Sequence, residues 1–186
     1  MKKILVLGTL AIFSVTAFAA DLETRVAQSR LASKEFMQSL KGELQAAMKA
    51  GGPINAIQVC RIRAPQIASD ISGKKGWKVA RTSLKVRNSS NAPDAWERTV
   101  LQRFEAEKLA GKDPAKMEFY EVVKTGNGDV FRYMKAIPAG KLCMTCHGSN
   151  IAPELVKKID ELYPNDQARG YSPGDIRGAF TIQQGM

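Results

Sequence analysis

The chain has 186 residues and a formal net charge of +10 at pH 7, with 28 Lys and Arg against 18 Asp and Glu. A chain of this length can form one domain and bury a proper core without support from disulfides. In a cytosolic protein the basic balance would indicate nucleic acid as a partner. The N-terminus excludes that class, because it has the features of an export signal.

The first twenty residues have the pattern of a secretory signal peptide. Lys2 and Lys3 precede an almost wholly apolar run over residues 4–18, and Ala17-Phe18-Ala19 offers an A-x-A cleavage site. The run is too short for a membrane span. We expect cleavage near Ala19 or Ala20 and export to the periplasm. The mature chain then has about 167 residues and a net charge of +8, and none of it is predicted to cross a bilayer. The alternative is an uncleaved N-terminal anchor.

Two helical stretches follow the signal peptide. Residues 21–50 carry an apolar stripe at helical spacing, and Gly51-Gly52-Pro53 is a typical end for that helix. A second apolar periodicity over residues 55–71 places Cys60 on the buried face of a helix. Pro65 interrupts this pattern, because it lacks an amide hydrogen and its ring crowds the carbonyl four residues earlier. We therefore expect a kink just after Cys60 or a new helix that starts one residue before the proline.

The rest of the chain alternates between strand and helix patterns. The predicted elements are a strand over residues 77–84, a helix over 93–110 with Asn91 as its N-cap, strands over 116–124 and 130–137 joined by a tight turn, a helix over 153–162 and a strand over 175–183. This order predicts an α+β domain over residues 21–186, after a signal peptide over 1–20. Its small antiparallel sheet would have helices packed on one side.

The stretch Cys143-Met144-Thr145-Cys146-His147 carries the clearest chemistry in the chain. It reads C-x-x-C-H, the pattern of covalent c-type haem attachment. Two thiols at this spacing add across the two vinyl groups of the porphyrin, and the histidine that follows supplies a proximal ligand to the iron. His147 is the single histidine of the chain, so any histidine ligand must be this residue.

Three other interpretations compete with haem. A thioredoxin-like dithiol is expected on a strand-to-helix turn of a βαβ unit, whereas a loop precedes this motif. Zinc bound by Cys60, Cys143, Cys146 and His147 would be a formal Cys₃His set. The adjacent Cys146 and His147, however, would struggle to reach one small tetrahedral ion together. A disulfide between Cys143 and Cys146 would close a tight and strained loop. The pattern favours haem.

Cys60 has no partner within the chain if the porphyrin consumes the other two cysteines. An unpaired thiol in an oxidising compartment needs an explanation. Three remain open: an inert buried cysteine, an intermolecular disulfide, and a distal thiolate ligand that would lower the potential of the iron. A methionine thioether is the rival distal ligand and would raise the potential. The methionines available after export are Met37, Met48, Met117, Met134 and Met144.

Several blocks occur in one order over nearly the whole mature chain. They are AIQVC (56–60) with AP (64–65), RTSLKVRN (81–88) with NAPDAWE (91–97), FRYMKAI (131–137), CMTCHG (143–148) and GDIRGA (174–179). In these blocks the chain resembles the PAS-like single-haem cytochrome c domains, a haem c-binding family formerly of unknown function. Related domains also serve as the sensor input of histidine kinases and chemoreceptors.

The resemblance implies a PAS-like antiparallel sheet with packed helices and a long N-terminal helix, and one covalent haem c. It implies His147 as the proximal iron ligand and Cys60 as the distal iron ligand. The chain departs from the sensor members because no transmembrane helix or kinase region follows Met186. Direct signalling across a membrane is therefore not expected.

The propionates of a haem need cationic or amide partners. Candidates near the family-like blocks are Arg81, Lys85, Arg87, Asn88 and Arg132. Among them we predict Arg87 and Arg132 as contacts. For each of these side chains the alternative is an ordinary solvated surface charge.

Two function classes fit these features. One is a redox or small-ligand sensor, in which reduction releases the iron–thiolate bond and opens a site for a gas such as carbon monoxide or nitric oxide. The other is a periplasmic electron-transfer cytochrome whose basic surface docks an acidic redox protein. The analogy of fold favours sensing. We expect no enzyme and no catalytic residues, because no second histidine is available as a distal base.

Overall fold

A computed structural model of the protein describes the backbone of residues 10–186 and the side chains from residue 18 onwards. Residues 1–9 of the predicted signal peptide, residues 1–20, lie outside these limits, and the backbone of residues 10–20 is helical. Over the range that the structure does describe, no helix has both the length and the apolar character needed to cross a membrane.

The long helix α1 runs from Leu10 to Gln58 and breaks at two glycines. Gly51 and Gly52 have non-helical backbone angles, and Gly52 adopts φ 67°, a conformation that a residue without Cβ reaches readily. The predicted end of the first helix at these glycines is therefore confirmed. The chain that follows folds back along α1, where Arg63 forms an ion pair with Glu43.

A π-helical turn over Val59–Arg63 separates α1 from α2, which spans Ala64–Lys75. The amide of the first α2 residue donates a hydrogen bond to the carbonyl of the first residue of the turn, five residues back. Pro65 has no amide hydrogen with which to continue the ordinary helical ladder, so the backbone widens at this point. Cys60 lies in the turn, which confirms the irregular backbone predicted next to it.

Four strands form one antiparallel sheet in the order β1-β4-β3-β2. They are β1 (Lys78–Thr82), β2 (Glu118–Thr125), β3 (Gly128–Pro138) and β4 (Ile176–Gly185). All the predicted strands are present, and the last one in the chain pairs in the middle of the sheet. The register of β3 against β4 shifts between Ile137 and Pro138, where the chain leaves the sheet towards the C-x-x-C-H motif.

Helices cover both faces of this sheet. Helices α1 and α2 pack on one face, where Phe36 and Tyr133 are fully buried. Helix α3 (Ala95–Leu109) packs on the other face, where Phe104 lies in one cluster with Met134. The prediction of helices on one side is wrong, because successive residues of β3 point to opposite faces and both sets are apolar. The α+β class with a PAS-like sheet and a long N-terminal helix is confirmed.

Helix α3 is capped by Asp94 and not, as predicted, by Asn91. The Asp94 carboxylate accepts a hydrogen bond from the Glu97 amide at 2.8 Å, and the Glu97 carboxylate accepts one from the Asp94 amide at 3.1 Å. This reciprocal capping box satisfies two amides, which a lone asparagine cannot do. Asn91 instead ends a 3₁₀ turn, and its carbonyl accepts a hydrogen bond from the amide of Ser83.

The end of β4 that faces the motif depends on a glycine. A Cβ atom on Gly178 would lie 2.3 Å from the carbonyl oxygen of Thr82, so a larger residue could not come this close to β1. The close approach brings Arg177 to Ser83, and the Arg177 Nη1 atom donates a hydrogen bond to the Ser83 hydroxyl at 3.1 Å. This hydrogen bond joins the start of β4 to the segment that follows β1.

Candidate haem site

The C-x-x-C-H motif forms a tight helical turn soon after β3. A 3₁₀ turn over Lys141–Cys143 leads into α4, a single helical turn over Met144–His147. Residues three apart on such a turn share one side, so Cys143 and Cys146 are neighbours, and both thiols are free. A Cβ atom on Gly148 would lie 2.7 Å from the carbonyl oxygen at the start of α4. The motif therefore needs a glycine directly after its histidine.

The backbone holds the His147 ring in one orientation. The Nδ1 atom lies 2.7 Å from the carbonyl oxygen of Ala168. Because that oxygen can only accept, Nδ1 must carry the hydrogen. Tyr171 packs edge-on against the ring, with 6.2 Å between the ring centroids. The lone pair of Nε2 is left as the ligand atom, which is the usual arrangement of histidines that bind metals.

The surroundings of His147 also set its protonation. Burial lowers the pKa of His147 well below its ordinary value, and the charges of Arg177 and Arg87 lower it further. The Ala168 carbonyl and the Asp166 carboxylate act in the opposite direction and do not outweigh these effects. The ring is neutral at physiological pH, and a neutral imidazole is the form that ligates iron.

Arg87 ties the motif to the loop over residues 163–171. Its Nε and Nη2 atoms donate hydrogen bonds to the two carboxylate oxygens of Asp166, each at 3.0 Å, and Nη2 also reaches the carbonyl of Cys146 at 2.7 Å. Burial alone would raise the pKa of Asp166, but hydrogen bonds from Arg87, Arg169 and the Ala168 amide bring it down to about 2. Arg87 thus lies at the site, as a brace for the motif.

Backbone hydrogen bonds from the same loop complete the support. The amide of Tyr171 donates to the carbonyl of His147 at 2.9 Å, and the amide of Gly170 donates to that of Gly148 at 3.1 Å. The sequence predicted only a loop here and missed both Asp166 and the carbonyl of Ala168. A contact through a backbone carbonyl leaves no mark in the side-chain pattern. The one signal in the sequence was the acidic residue Asp166, which lies within about twenty residues of the motif.

Cys60 approaches the motif from the π-helical turn. Ile57, one helical turn before it, is buried in a cluster against α5 (Pro153–Leu162), and Cys146 packs against the same cluster. The pKa of the Cys146 thiol is raised to about 11, first by burial; Arg87 opposes this, and the charges of Cys60 and Cys143 add to it. The fold therefore brings Cys60 close to the motif although the two are far apart in sequence.

Two half-buried arginines without carboxylate partners, Arg81 and Arg177, face the same region. The guanidinium of Arg81 lies 5.5 Å above the ring of Phe36 and makes no hydrogen bond within the described part of the chain. Arg177 has a buried Nε atom that lacks a hydrogen-bond partner. Burial lowers the pKa of both arginines, and the charge of nearby Cys60 acts against this in each case. Guanidinium groups that lack an acidic partner at such a place fit the two carboxylates of a haem, because a charge that has lost part of its hydration needs a partner.

Arg132, unlike Arg81 and Arg177, has acidic partners within the fold. Its Nη2 atom lies 2.7 Å from the Asp94 carboxylate and 3.3 Å from that of Glu97, and its guanidinium packs 4.2 Å above the ring of Trp96. These partners lie at the start of α3, on the sheet face opposite to α1. The charge of Arg132 thus already has acidic partners within the fold, and the propionate contact predicted for it stays a prediction.

The structure also bears on the competing interpretations of the motif. The sheet is antiparallel throughout, so the motif does not follow a strand of a βαβ unit. Among the residues from 18 onwards, no group of three or more His, Cys, Asp or Glu side chains is arranged to hold a metal ion. Of the rival distal methionines, Met117 and Met134 are buried in the cluster on the α3 face.

Comparison with known proteins places the chain in a family. A family model described as Tll0287-like matches residues 16–184. The fold is similar to the crystal structure of the cyanobacterial haem protein Tll0287, with a TM-score of 0.68 and 23% sequence identity over 88% of this chain and 96% of that chain. Among curated proteins, no relative was found. The structural match shows the fold, and the family match covers nearly the whole chain. The resemblance predicted from the sequence is confirmed at this level: the chain belongs to the Tll0287-like family.

Proposed function

We propose that the protein is an exported cytochrome with one covalent haem c, and that it works in the periplasm as a redox or small-ligand sensor. Cys143 and Cys146 bind the porphyrin, His147 is the proximal ligand and Cys60 the distal ligand. The similarity to a solved haem protein supports the cofactor. The hydrogen bond between His147 Nδ1 and the Ala168 carbonyl carries the proposal, because it leaves Nε2 as the ligand atom.

The two sides of this site differ in rigidity. On the proximal side, His147 is held by the Ala168 carbonyl and the motif is braced by the buried pair of Arg87 and Asp166. On the distal side, Cys60 lies in a π-helical turn that follows the break of α1 at Gly51. Such turns are common at functional sites. His147 is therefore held in place, whereas Cys60 lies on irregular backbone. This difference supports a switch in which Cys60 is the ligand that is released.

When bound, the haem supplies a redox-active iron whose potential and affinity for gases depend on its axial ligands. The residues of this chain supply the response. Arg63, in the same turn as Cys60, donates hydrogen bonds from Nε and Nη2 to the Glu43 carboxylate on α1, both at 2.7 Å. Movement of the turn on release of Cys60 would therefore act on the long helix.

A periplasmic electron-transfer cytochrome is the second candidate. The residues of the motif are partly exposed, so the porphyrin edge that Cys143 and Cys146 hold would lie near the surface. The excess of basic residues suits an acidic redox or signalling protein as the partner. In this candidate both axial ligands stay bound in the oxidised and the reduced state.

Optical and EPR spectra of the exported holoprotein test the proposal. Spectra are recorded oxidised, reduced, and reduced with carbon monoxide, for the wild type, Cys60→Ala and the control Met48→Ala. We expect low-spin thiolate features that disappear only in Cys60→Ala, and carbon monoxide binding after reduction. Spectra that Cys60→Ala leaves unchanged would refute the thiolate ligand. Six-coordinate iron in both states without carbon monoxide binding would favour the electron carrier. Intact mass after denaturation counts the covalent haem.

A further inference from the structure

A cleft lies between α1 and the β2–β3 hairpin, and none of the residues of the motif lines it. Its volume is about 480 Å³, within the range of small-molecule sites. Its lining combines apolar side chains, among them Met37 and Phe180, with charged side chains from α1, β2 and β3. Cys60 does not line it either, so this cleft is separate from the candidate haem site.

The positive charge of the cleft exceeds its negative charge. Its acid, Glu118, accepts hydrogen bonds from Arg30 Nε at 3.0 and 3.1 Å and from the Tyr133 hydroxyl at 2.8 Å. Arg30 and Glu118 therefore neutralise each other. The other two cations, Lys34 and Lys135, make no side-chain hydrogen bond or ion pair within the described part of the chain. Burial lowers the pKa of Lys135, because its ammonium group has lost part of its hydration.

A buried hydroxyl without a partner lines the same cleft. Ser33 on α1 is 4% exposed, and its Oγ atom has no hydrogen-bond partner. Buried hydroxyl groups in native structures are normally satisfied, so the unpaired one in the wall of this cleft is a donor that a bound ligand can use. Ser33 and Lys34 are adjacent on α1, and Lys135 reaches the cleft from the sheet. The hydroxyl of Ser33 and the two ammonium groups can all donate hydrogen bonds, and both ammonium groups are positively charged. Such a set suits an anion.

We propose that this cleft binds a small amphipathic monocarboxylate. Its carboxylate accepts hydrogen bonds from Lys34, Lys135 and the Ser33 hydroxyl, and its apolar part packs against Met37 and Phe180. A compact inorganic anion would satisfy the donors but leave these apolar side chains without a partner. The presence of both donors and apolar groups in the lining therefore favours an organic acid.

The test is calorimetric titration of the oxidised holoprotein with benzoate, phenylacetate and hexanoate, while the haem absorption is followed. Benzyl alcohol serves as the uncharged counterpart. We expect saturable binding of at least one acid without a shift of the Soret band, and weaker binding of the alcohol. Lys135→Gln should weaken binding about tenfold or more, as expected for the loss of one charge-assisted hydrogen bond. Lys124→Gln, an exposed lysine on β2 outside the cleft, should leave it unchanged.

Ser33→Ala separates a ligand site from a packing role. It should weaken binding of the acid without lowering the melting temperature of the ligand-free protein, because it removes a hydroxyl that has no partner. Lys34→Gln, at an exposed position, replaces Lys135→Gln if that variant does not fold. Absence of saturation by all three acids up to about 10 mM, equal binding of the alcohol, or unchanged affinity in both lysine variants would overturn the proposal. So would a Soret shift that places the acid at the iron.

Discussion

The sheet core and the motif region of this protein are held together in different ways. The sheet core, formed by the apolar clusters on the two sheet faces, consists of regular elements packed through side chains such as Phe36, Phe104 and Tyr133. The motif region, residues 139–171 with Arg87, contains the short helices α4 and α5 and no strand of the sheet. It depends on the buried pair of Arg87 with Asp166 and on backbone hydrogen bonds.

This difference predicts two kinds of sensitivity. In the sheet core, the loss of one side chain costs free energy of unfolding in proportion to the cavity that it leaves. In the motif region, the loss of one partner leaves another polar group buried and unpaired, which disturbs the site more than the fold. Substitutions that separate stability from the properties of the haem can therefore test the comparison.

The largest effect is expected from the attachment cysteines. Replacing Cys143 and Cys146 with serine removes both thioether bonds of the proposed haem c, so covalent haem should be lost completely. Haem staining after denaturing electrophoresis measures this. Cys60→Ser is the matched control and should keep the stain, because Cys60 is proposed to bind iron and not the porphyrin. A stain that survives the double substitution would contradict covalent attachment through the motif.

The largest effect on stability is expected from Phe36→Ala in the sheet core. Phe36 is fully buried and packs against Phe180 with 5.1 Å between ring centroids. Its truncation should lower the free energy of unfolding by about 3–5 kcal/mol. Urea unfolding measures this, and Leu109→Ala, at a position 87% exposed, should change it by less than about 0.5 kcal/mol. A Phe36→Ala protein of unchanged stability would show that this packing is not what holds the sheet core.

Asp166→Asn tests the buried pair of the motif region through its pH dependence. The folded-state pKa of Asp166, about 2, lies below its unfolded value of 3.8. Its contribution to stability is therefore complete above the unfolded pKa and is lost as the pH falls towards 2. We expect the variant to be about 2 kcal/mol less stable at pH 7, and the difference to shrink to about 0.4 kcal/mol near pH 2, where half of the wild-type carboxyl groups are protonated. Urea unfolding at a series of pH values checks this.

Asp160→Asn is the control for that series. Asp160 also pairs with Arg169, but its side chain is 58% exposed, so its removal should have a small effect that is screened by salt. Equal losses in Asp160→Asn and Asp166→Asn, or a loss in Asp166→Asn that persists at low pH, would contradict the role of the buried pair.

The smallest effect concerns the unpaired arginine next to the proposed iron site. Arg81→Gln removes a positive charge and should stabilise the ferric state, which lowers the reduction potential by tens of millivolts. A shift of about 59 mV corresponds to a tenfold change for one electron. Spectroelectrochemistry measures it, and Arg98→Gln, an exposed arginine on α3, should not change the potential. An unchanged or raised potential in Arg81→Gln would place the guanidinium away from the haem.

Local sequence patterns predicted the elements well and their assembly less well. The C-terminal helix was predicted as residues 153–162 and is found there, and the glycines that break α1 were recognised. The cap of α3 was missed because Asn91 and Asp94 both suit that role locally. The reciprocal contact with Glu97 decided between them, and Arg132 of β3 lies against the same two acids.

The sequence by itself carries the prediction for the motif, because Cys143, Cys146 and His147 lie within five consecutive residues and their spacing is the signal. It also determined the fold class, since the periods of helix and strand are local. Only the tertiary structure decided that β4 lies between β1 and β3, that helices cover both faces, and that Arg132 is neutralised within the fold. It also decided that the Ala168 carbonyl orients His147. These features join residues far apart in the chain, often through backbone atoms that every residue shares, and no local pattern specifies such a contact.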